Sequence, residues 1–242
     1  IKSDPEFMLP KINYHHHADT ADEIVSFFPG LSKADLPGGE GWAMETITVN
    51  THNGTHMDAP YHYHSTMNNG ERAITIDEVP LEWCFNPGIK LDLRSYDDGY
   101  VLTANDIKSE LKKINYVLKP LDIVLVNTSA GGRYGMDDFL SKGCGIGKEA
   151  TLYLLEQGIR LTGTDAWSWD APFIHTAKKF KESNDASLIW EGHRAGMVQG
   201  YSHIEKLTNL EAIPNHGFTI SAFPFKIKNG SAGFVRVVAI FD

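Results

Sequence analysis

A mixed α/β fold, with a central β-structure flanked by helices, is what this chain predicts, on three observations. Apolar residues make up 42% and charged residues 22% of its 242 residues, which is ordinary for a soluble chain and ample for a buried core. Stretches with strand periodicity and stretches with helical periodicity follow one another along the middle of the chain. Near the C-terminus an Asn-Gly turn signal separates two apolar runs.

The elements follow in order. The opening to Gly41 is rich in Pro, Gly and His and reads as irregular, apart from a short helix around Asp22–Phe28. Met44–Asn50 alternates and reads as a strand, and Ile89–Leu93 as a second. Thr103 is placed as the N-cap of a helix over Ala104–Leu111. The β-branched run Leu121–Asn127 predicts a buried strand that ends in the small-residue loop Thr128-Ser129-Ala130-Gly131-Gly132. Lys148–Gln157 reads as a helix closed by Gly158, and Ile159–Thr162 as the next strand. Phe218–Phe225 and Phe234–Phe241 are expected to pair as a hairpin around Lys228-Asn229-Gly230. No repeat, low-complexity tract or linker divides residues 1–242, so a single domain is expected.

Composition narrows the function. A formal charge of −9 with no offsetting basic cluster argues against nucleic acid or an anionic membrane as partner. Lys178-Lys179-Phe180-Lys181 reads as a solvated helix face. Cys84 and Cys144 are too few for a disulfide framework and form no CxxC pair, which fits a reducing, cytoplasmic setting. No apolar run approaches the roughly 20 residues that span a bilayer.

The densest signal is His52-Asn53-Gly54-Thr55-His56-Met57-Asp58-Ala59-Pro60-Tyr61-His62. His52, His56, Asp58 and His62 share one parity, so an extended stretch would turn all four toward one place. Gly54 and Pro60 argue against a helix across the segment. Imidazole and carboxylate donors together suit zinc, manganese or iron. A His-rich surface turn is the competing reading, yet four of 11 histidines sit at 52, 56, 62 and 64. His52, His56 and Asp58 make a three-ligand set with room for water. His62 is then a proton shuttle or a fourth ligand.

Farther along, His193 and Glu205 stand twelve residues apart and offer another nitrogen and another carboxylate. The Trp167-Ser168-Trp169 segment follows an expected strand, and its two indoles are candidates to sandwich a planar substrate ring, against a reading as core aromatics. Asp165 and Asp170 read as supporting residues. Phe27, Phe28 and Trp42 are candidates for an apolar pocket, Arg133 and Arg194 for holding a carboxylate, and His15-His16-His17 for a surface run. Ser129 and Ser168 lack the Gly-x-Ser-x-Gly setting of a serine nucleophile.

His52-x-Gly54-Thr55-His56-x-Asp58-x-Pro60-x-His62 resembles the signature of the metal-dependent cyclase family, which includes bacterial kynurenine formamidase, isatin hydrolase and trans-dienelactone hydrolase. The resemblance runs through nearly the whole chain, and the segment from His193 to Leu207 resembles the family's later ligand region. It implies a swivelling β/β/α-like fold and a homodimer or higher homo-oligomer. It also implies zinc or manganese on His52, His56 and Asp58, with His193 and Glu205 completing one site or a binuclear pair. His62 would move the proton while a metal-held hydroxide attacks a small aryl formamide, lactam or lactone. Ile1-Lys2-Ser3-Asp4-Pro5 resembles the segment after the family's first strand, so the natural N-terminus is expected to lie upstream, with cloning residue as the alternative origin of the first ten residues. Tyr63-His64, the His15–His17 run and Thr164–Asp170 depart from a kynurenine formamidase pattern, which leaves the substrate open. A non-catalytic metal-binding or structural member of the same fold is the alternative, and the retained His62 argues against it.

Overall fold

The computed structural model describes residues 4–241. They form two compact units, one of residues 7–50 and one of residues 4–6 and 51–241. In the smaller unit, β1 (Lys11–His15) pairs antiparallel with β2 (Met44–Thr48), and α1 (Ala21–Phe27) lies between them in sequence. Phe27, Phe28 and Trp42 are exposed, as are His16 and His17.

The larger unit holds the α/β fold. Eight of its strands are β3 (His56–Asp58), β4 (Phe85–Asp92), β5 (Ile123–Asn127), β6 (Leu161–Thr164), β7 (Ser202–Glu205), β8 (Phe218–Ser221), β9 (Ala232–Phe234) and β10 (Val238–Ile240). They join in one sheet ordered β9-β3-β7-β6-β5-β4-β8-β10. The central four run parallel, and the flanking strands pair antiparallel. Its helices are α2 (Pro60–Tyr63), α3 (Ala104–Lys113), α4 (Lys148–Glu156), α5 (Phe173–Ser183) and α6 (Glu191–Arg194). Thr103 caps α3 as its side chain accepts from the Asp106 N–H, and Gly158 follows α4 with φ +87°. No helix among the described residues is long and apolar enough to cross a membrane.

Strand alternation divides the interior in two. On β5, Ile123 and Leu125 pack with Met57, Leu161, Ile204 and Ile220 on one face of the sheet. Val124 and Val126 face the other way, against Ile89, Leu91 and the inner sides of α3 and α4 at Ile107, Leu111, Ala150 and Leu154.

The C-terminal hairpin does not form as expected. β8 pairs with β10 and β4, whereas β9 pairs with β3 at the opposite end of the strand order. The Asn229-Gly230 turn is present, with Asn229 at φ +57°, and the Phe225 N–H still donates to the Phe234 carbonyl. A turn signal sets a local reversal; it does not choose the partner of the strand that follows. Phe234 and Val238 are four residues apart, a span of at most about 14 Å. A flat eight-stranded sheet would separate its edges by about 34 Å. The sheet is therefore curled, and its two edge strands come within reach of one short connection.

Candidate metal centre

The antiparallel pairing of β3 with β7 builds the centre. Asp58 lies opposite His203 and His56 opposite Glu205, while Met57 and Ile204 between them enter the apolar core. Strand alternation thus sends His56, Asp58, His203 and Glu205 to the other face together. All four are buried.

The expected parity of residues 52–62 holds only for His56 and Asp58, because the strand is three residues long. His52 is brought back by a turn in which Gly54 takes φ +55°, a conformation open to glycine at little cost. His62 arrives on α2, a single helical turn started by Pro60 at a position where proline suits a helix N-terminus. The His52 and His62 rings then lie 4.1 Å apart, centroid to centroid.

His193 comes from α6. Asp170 accepts from its backbone N–H at 3.0 Å and from the Gly192 N–H at 2.7 Å, and also contacts its Nδ1. Trp190, a non-glycine residue at φ +58°, stacks on the His193 ring at 4.5 Å and meets the edge of His62 at 5.1 Å. Holding an indole in left-handed backbone costs free energy, and the placement of its ring over His193 marks it as part of the site.

Four histidines share one arrangement. His52 Nε2 meets Ser231 Oγ at 3.0 Å, His56 Nδ1 meets the Gly54 carbonyl at 2.9 Å, His193 Nδ1 meets Asp170, and His203 Nδ1 meets Tyr63 Oη at 3.1 Å. In each, the other ring nitrogen faces Asp58, 2.9 Å away for His52, 3.2 Å for His56 and His203, and 3.8 Å for His193. An outer partner that fixes the ring while the inner nitrogen faces a shared point is how metal-binding histidines are held. Neither Asp58 oxygen nor His203 Nε2 has a hydrogen bond of acceptable geometry, although all three are buried. Orphaned buried polar atoms of this kind are costly, and a divalent cation among them would satisfy them. The donor set fits a borderline transition metal such as zinc or manganese.

His62 differs from these four. Its Nε2 lies 3.7 Å from Asp58 Oδ2, and no hydrogen bond to a described residue fixes its ring. Its side chain is 22% exposed, against 0% for Asp58 and His56, so the centre opens toward solvent on this side. Burial pushes its imidazole down to about 4, against the pull of Asp58, leaving it neutral at neutral pH. Burial opposes ionisation of Asp58, but His62, His56, His203 and His52 outweigh it and hold the carboxyl well below its ordinary range. His203 is shifted the other way: burial disfavours its charge, yet Asp58 and Glu205 raise it to about 9. The centre is rich in negative charge that wants a cation.

The structure brings together His52, His56, Asp58, His62, His193 and Glu205, and corrects the two indoles. Trp169 is wholly buried, stacked on His203 at 5.8 Å with Nε1 on Thr151 Oγ1, so it has no face left for a ligand. Trp167 is half-buried, donates to Asp4 Oδ1 at 3.2 Å and meets Phe173 edge-on at 5.5 Å. They form no sandwich, because the loop after β6 folds back into the helix-side core. Arg133 is paired with Asp138, and Arg194 is exposed. Ser129 donates to Asp98, and Asp165 secures the β5 loop through Asn127 and Thr128.

Sequence reasoning missed His203, Trp190 and Tyr63. His203 carried a usable signal: it lies two residues before Glu205, at the same strand parity that links His56 to Asp58. Trp190 carried none, since its role depends on backbone conformation.

Asp170 acts on the centre through His193. Asp170→Asn is expected to lower metal affinity by about 10–100-fold with the fold retained, as loss of an outer partner typically does. Competition with a calibrated chelator measures this, and unchanged affinity would leave Asp170 a purely structural role.

With this geometry in hand, the chain's relatives can be placed. The Cyclase family model matches residues 8–171, and the chain belongs to that family. It is 27% identical over 194 residues to a kynurenine formamidase of Erythrobacter litoralis (strain HTCC2594), covering 79% of this chain and 74% of the relative. It is 24% identical over 192 residues to a kynurenine formamidase of Bacillus cereus (strain ATCC 10987 / NRS 248), covering 79% and 77%. Among solved structures, an isatin hydrolase bound to the product analogue thioisatinate superposes with a TM-score of 0.71 at 20% identity, over 99% of this chain and 86% of the other. Isatin hydrolase A from Labrenzia aggregata, bound to benzyl benzoate, gives 0.69 at 23% identity, over 96% and 94%. These two structures share the fold.

Proposed function

We propose that the protein is a metal-dependent hydrolase of a small amide- or lactone-type carbonyl compound, working at the centre around Asp58. The observation that carries this reading is the inward convergence of imidazole nitrogens on a buried carboxylate, beside one histidine that is left unfastened. His52, His56 and Asp58 would hold the ion, with His193 and Glu205 joining them. A divalent ion bound there polarises a carbonyl oxygen and lowers the pKa of water.

The chain's own residues do the rest. His62, neutral and on the open side, takes a proton from the attacking water and returns it to the departing nitrogen or oxygen. Trp190 offers an aromatic wall next to His62, so a planar substrate can pack there with its carbonyl toward Asp58. The burial of Asp58, His56 and Glu205 keeps bulk water from screening the charges that act on the carbonyl.

The kynurenine formamidase relatives support an aryl formamide and the isatin hydrolase neighbours an oxindole-type lactam as substrate, while a lactone rests on the motif's resemblance to trans-dienelactone hydrolase alone. The test is a panel of N-formylkynurenine, isatin and a dienelactone, each assayed with zinc and with manganese. Turnover of at least one is expected. Turnover of none, with metal bound and the fold intact, would overturn the substrate class.

A further inference from the structure

We propose that Lys206, paired with Asp4, is a positioning residue of the centre: the two clamp the turn of residues 52–54 that delivers His52 and steadies His56. This rests on the reading of the centre as a metal site and concerns how this chain keeps its donors in place.

Lys206 directly follows Glu205 at the end of β7. It is 1% exposed and takes left-handed backbone at φ +58°. Lysine is seldom fully buried unless paired, and a non-glycine residue in that conformation costs free energy. Both costs fall on the neighbour of a candidate ligand.

The contacts of Lys206 converge on one segment. Its ammonium donates to the His52 carbonyl at 2.7 Å and to Asp4 Oδ1. Its own carbonyl accepts from Thr55 Oγ1 at 2.7 Å, and its N–H donates to the Ala166 carbonyl at 3.0 Å. Asp4 belongs to the same compact unit and is buried. Its Oδ2 accepts from Asn53 Nδ2 at 3.3 Å and from the Gly54 N–H at 3.4 Å, and its Oδ1 from Trp167 Nε1 at 3.2 Å. Each residue from His52 to Thr55 is thus tied to Lys206 or to Asp4.

The turn has two duties at the centre. It carries His52, whose Nδ1 lies 2.9 Å from Asp58 Oδ1. It also supplies the Gly54 carbonyl, which meets His56 Nδ1 at 2.9 Å and so fixes that ring. No described atom lies within 4 Å of where a Gly54 Cβ would stand, so packing at that position does not hold the turn. The polar clamp does.

A buried ion pair is weak evidence for stability, because apolar residues of like volume often serve as well. What charged hydrogen bonds add is direction. The pairing also removes a conflict: Lys206 alone would repel a cation at the centre, and Asp4 cancels that charge.

Charge gives the test its sign. Lys206→Met leaves Asp4 its donors on Asn53, Gly54 and Trp167 and removes one positive charge, which by electrostatics alone would tighten zinc binding. A loosened turn weakens it. Zinc affinity is measured by chelator competition on the parent, Lys206→Met, His52→Ala and the double variant, with circular dichroism confirming the fold. Lys206→Met is expected to bind zinc about 10–100-fold more weakly, as loss of a ligand's support typically does. It should cost much less where His52 is already gone, because the two act through one ligand. Parent-like or tighter binding by Lys206→Met, an equal loss in both backgrounds, or parent-like binding by His52→Ala would overturn the proposal. Should Lys206→Met not fold, Asp4→Leu/Lys206→Met, which leaves no unpaired buried charge, replaces it in the same comparison. Should that not fold either, parent crystals grown with zinc decide. Lys206 is then expected on the His52 carbonyl with His52 about 2.0–2.1 Å from the ion, and His52 away from the ion would overturn the proposal. Zinc bound by the parent leaves the hydrolase reading standing in every case, and a parent that binds none overturns both.

Discussion

His62→Asn is expected to keep its metal and to lose turnover by roughly 10²–10⁴-fold, the usual worth of a positioned acid or base. The expectation follows from what holds each ring. His52, His56, His193 and His203 each have an outer partner that locks the imidazole, whereas His62 has none among the described residues and sits at the solvent-facing rim. A side chain that must take a proton from water and deliver it to a leaving group needs that freedom. Asparagine keeps a polar group of similar reach but cannot carry a proton near neutral pH. Rate and metal content are measured on the same preparation. A variant that had lost its metal would make His62 a ligand.

The His56→Ala/Asp58→Ala double variant should lose the metal altogether, and activity with it. Polarisation by a metal supplies several kcal/mol of transition-state stabilisation, so the rate should fall by on the order of 10³-fold or more. His56 and Asp58 are wholly buried on a three-residue strand, and both face the inward point shared with β7. Elemental analysis of the purified variant, with circular dichroism as a fold control, checks the result. Metal held as tightly as in the parent would show that the ion binds elsewhere.

Much of this was legible in the sequence, and the reasons for the rest are physical. The helix expected over Ala104–Leu111 was readable from its Thr103 cap and amphipathic spacing and runs to Lys113, and the strand expected over Leu121–Asn127 was readable from its β-branched run and spans Ile123–Asn127, because both signals are local. The pairing of β8 with β10 and of β9 with β3 was not, since register across a curled sheet is set by contacts distant in sequence. The same division runs through the centre. His52, His56, Asp58 and His62 lie within eleven residues, and their chemistry was evident from type and spacing. That His203 belongs beside Asp58 depends on the antiparallel register of β3 against β7, which no local pattern states. The sandwich and core readings of Trp167 and Trp169 could not be told apart for a related reason: an aromatic pair after a strand looks alike whether its loop lines a cleft or folds into the core.

The most direct test of the metal-dependent hydrolase reading is to follow rate and bound metal together. The protein is stripped with a chelator, then reloaded stepwise with zinc or manganese, and hydrolysis of the best panel substrate is measured at each step. Negligible turnover in the stripped chain, rising in step with metal bound at the Asp58 centre, is the predicted result. Full turnover by the metal-free protein would contradict it.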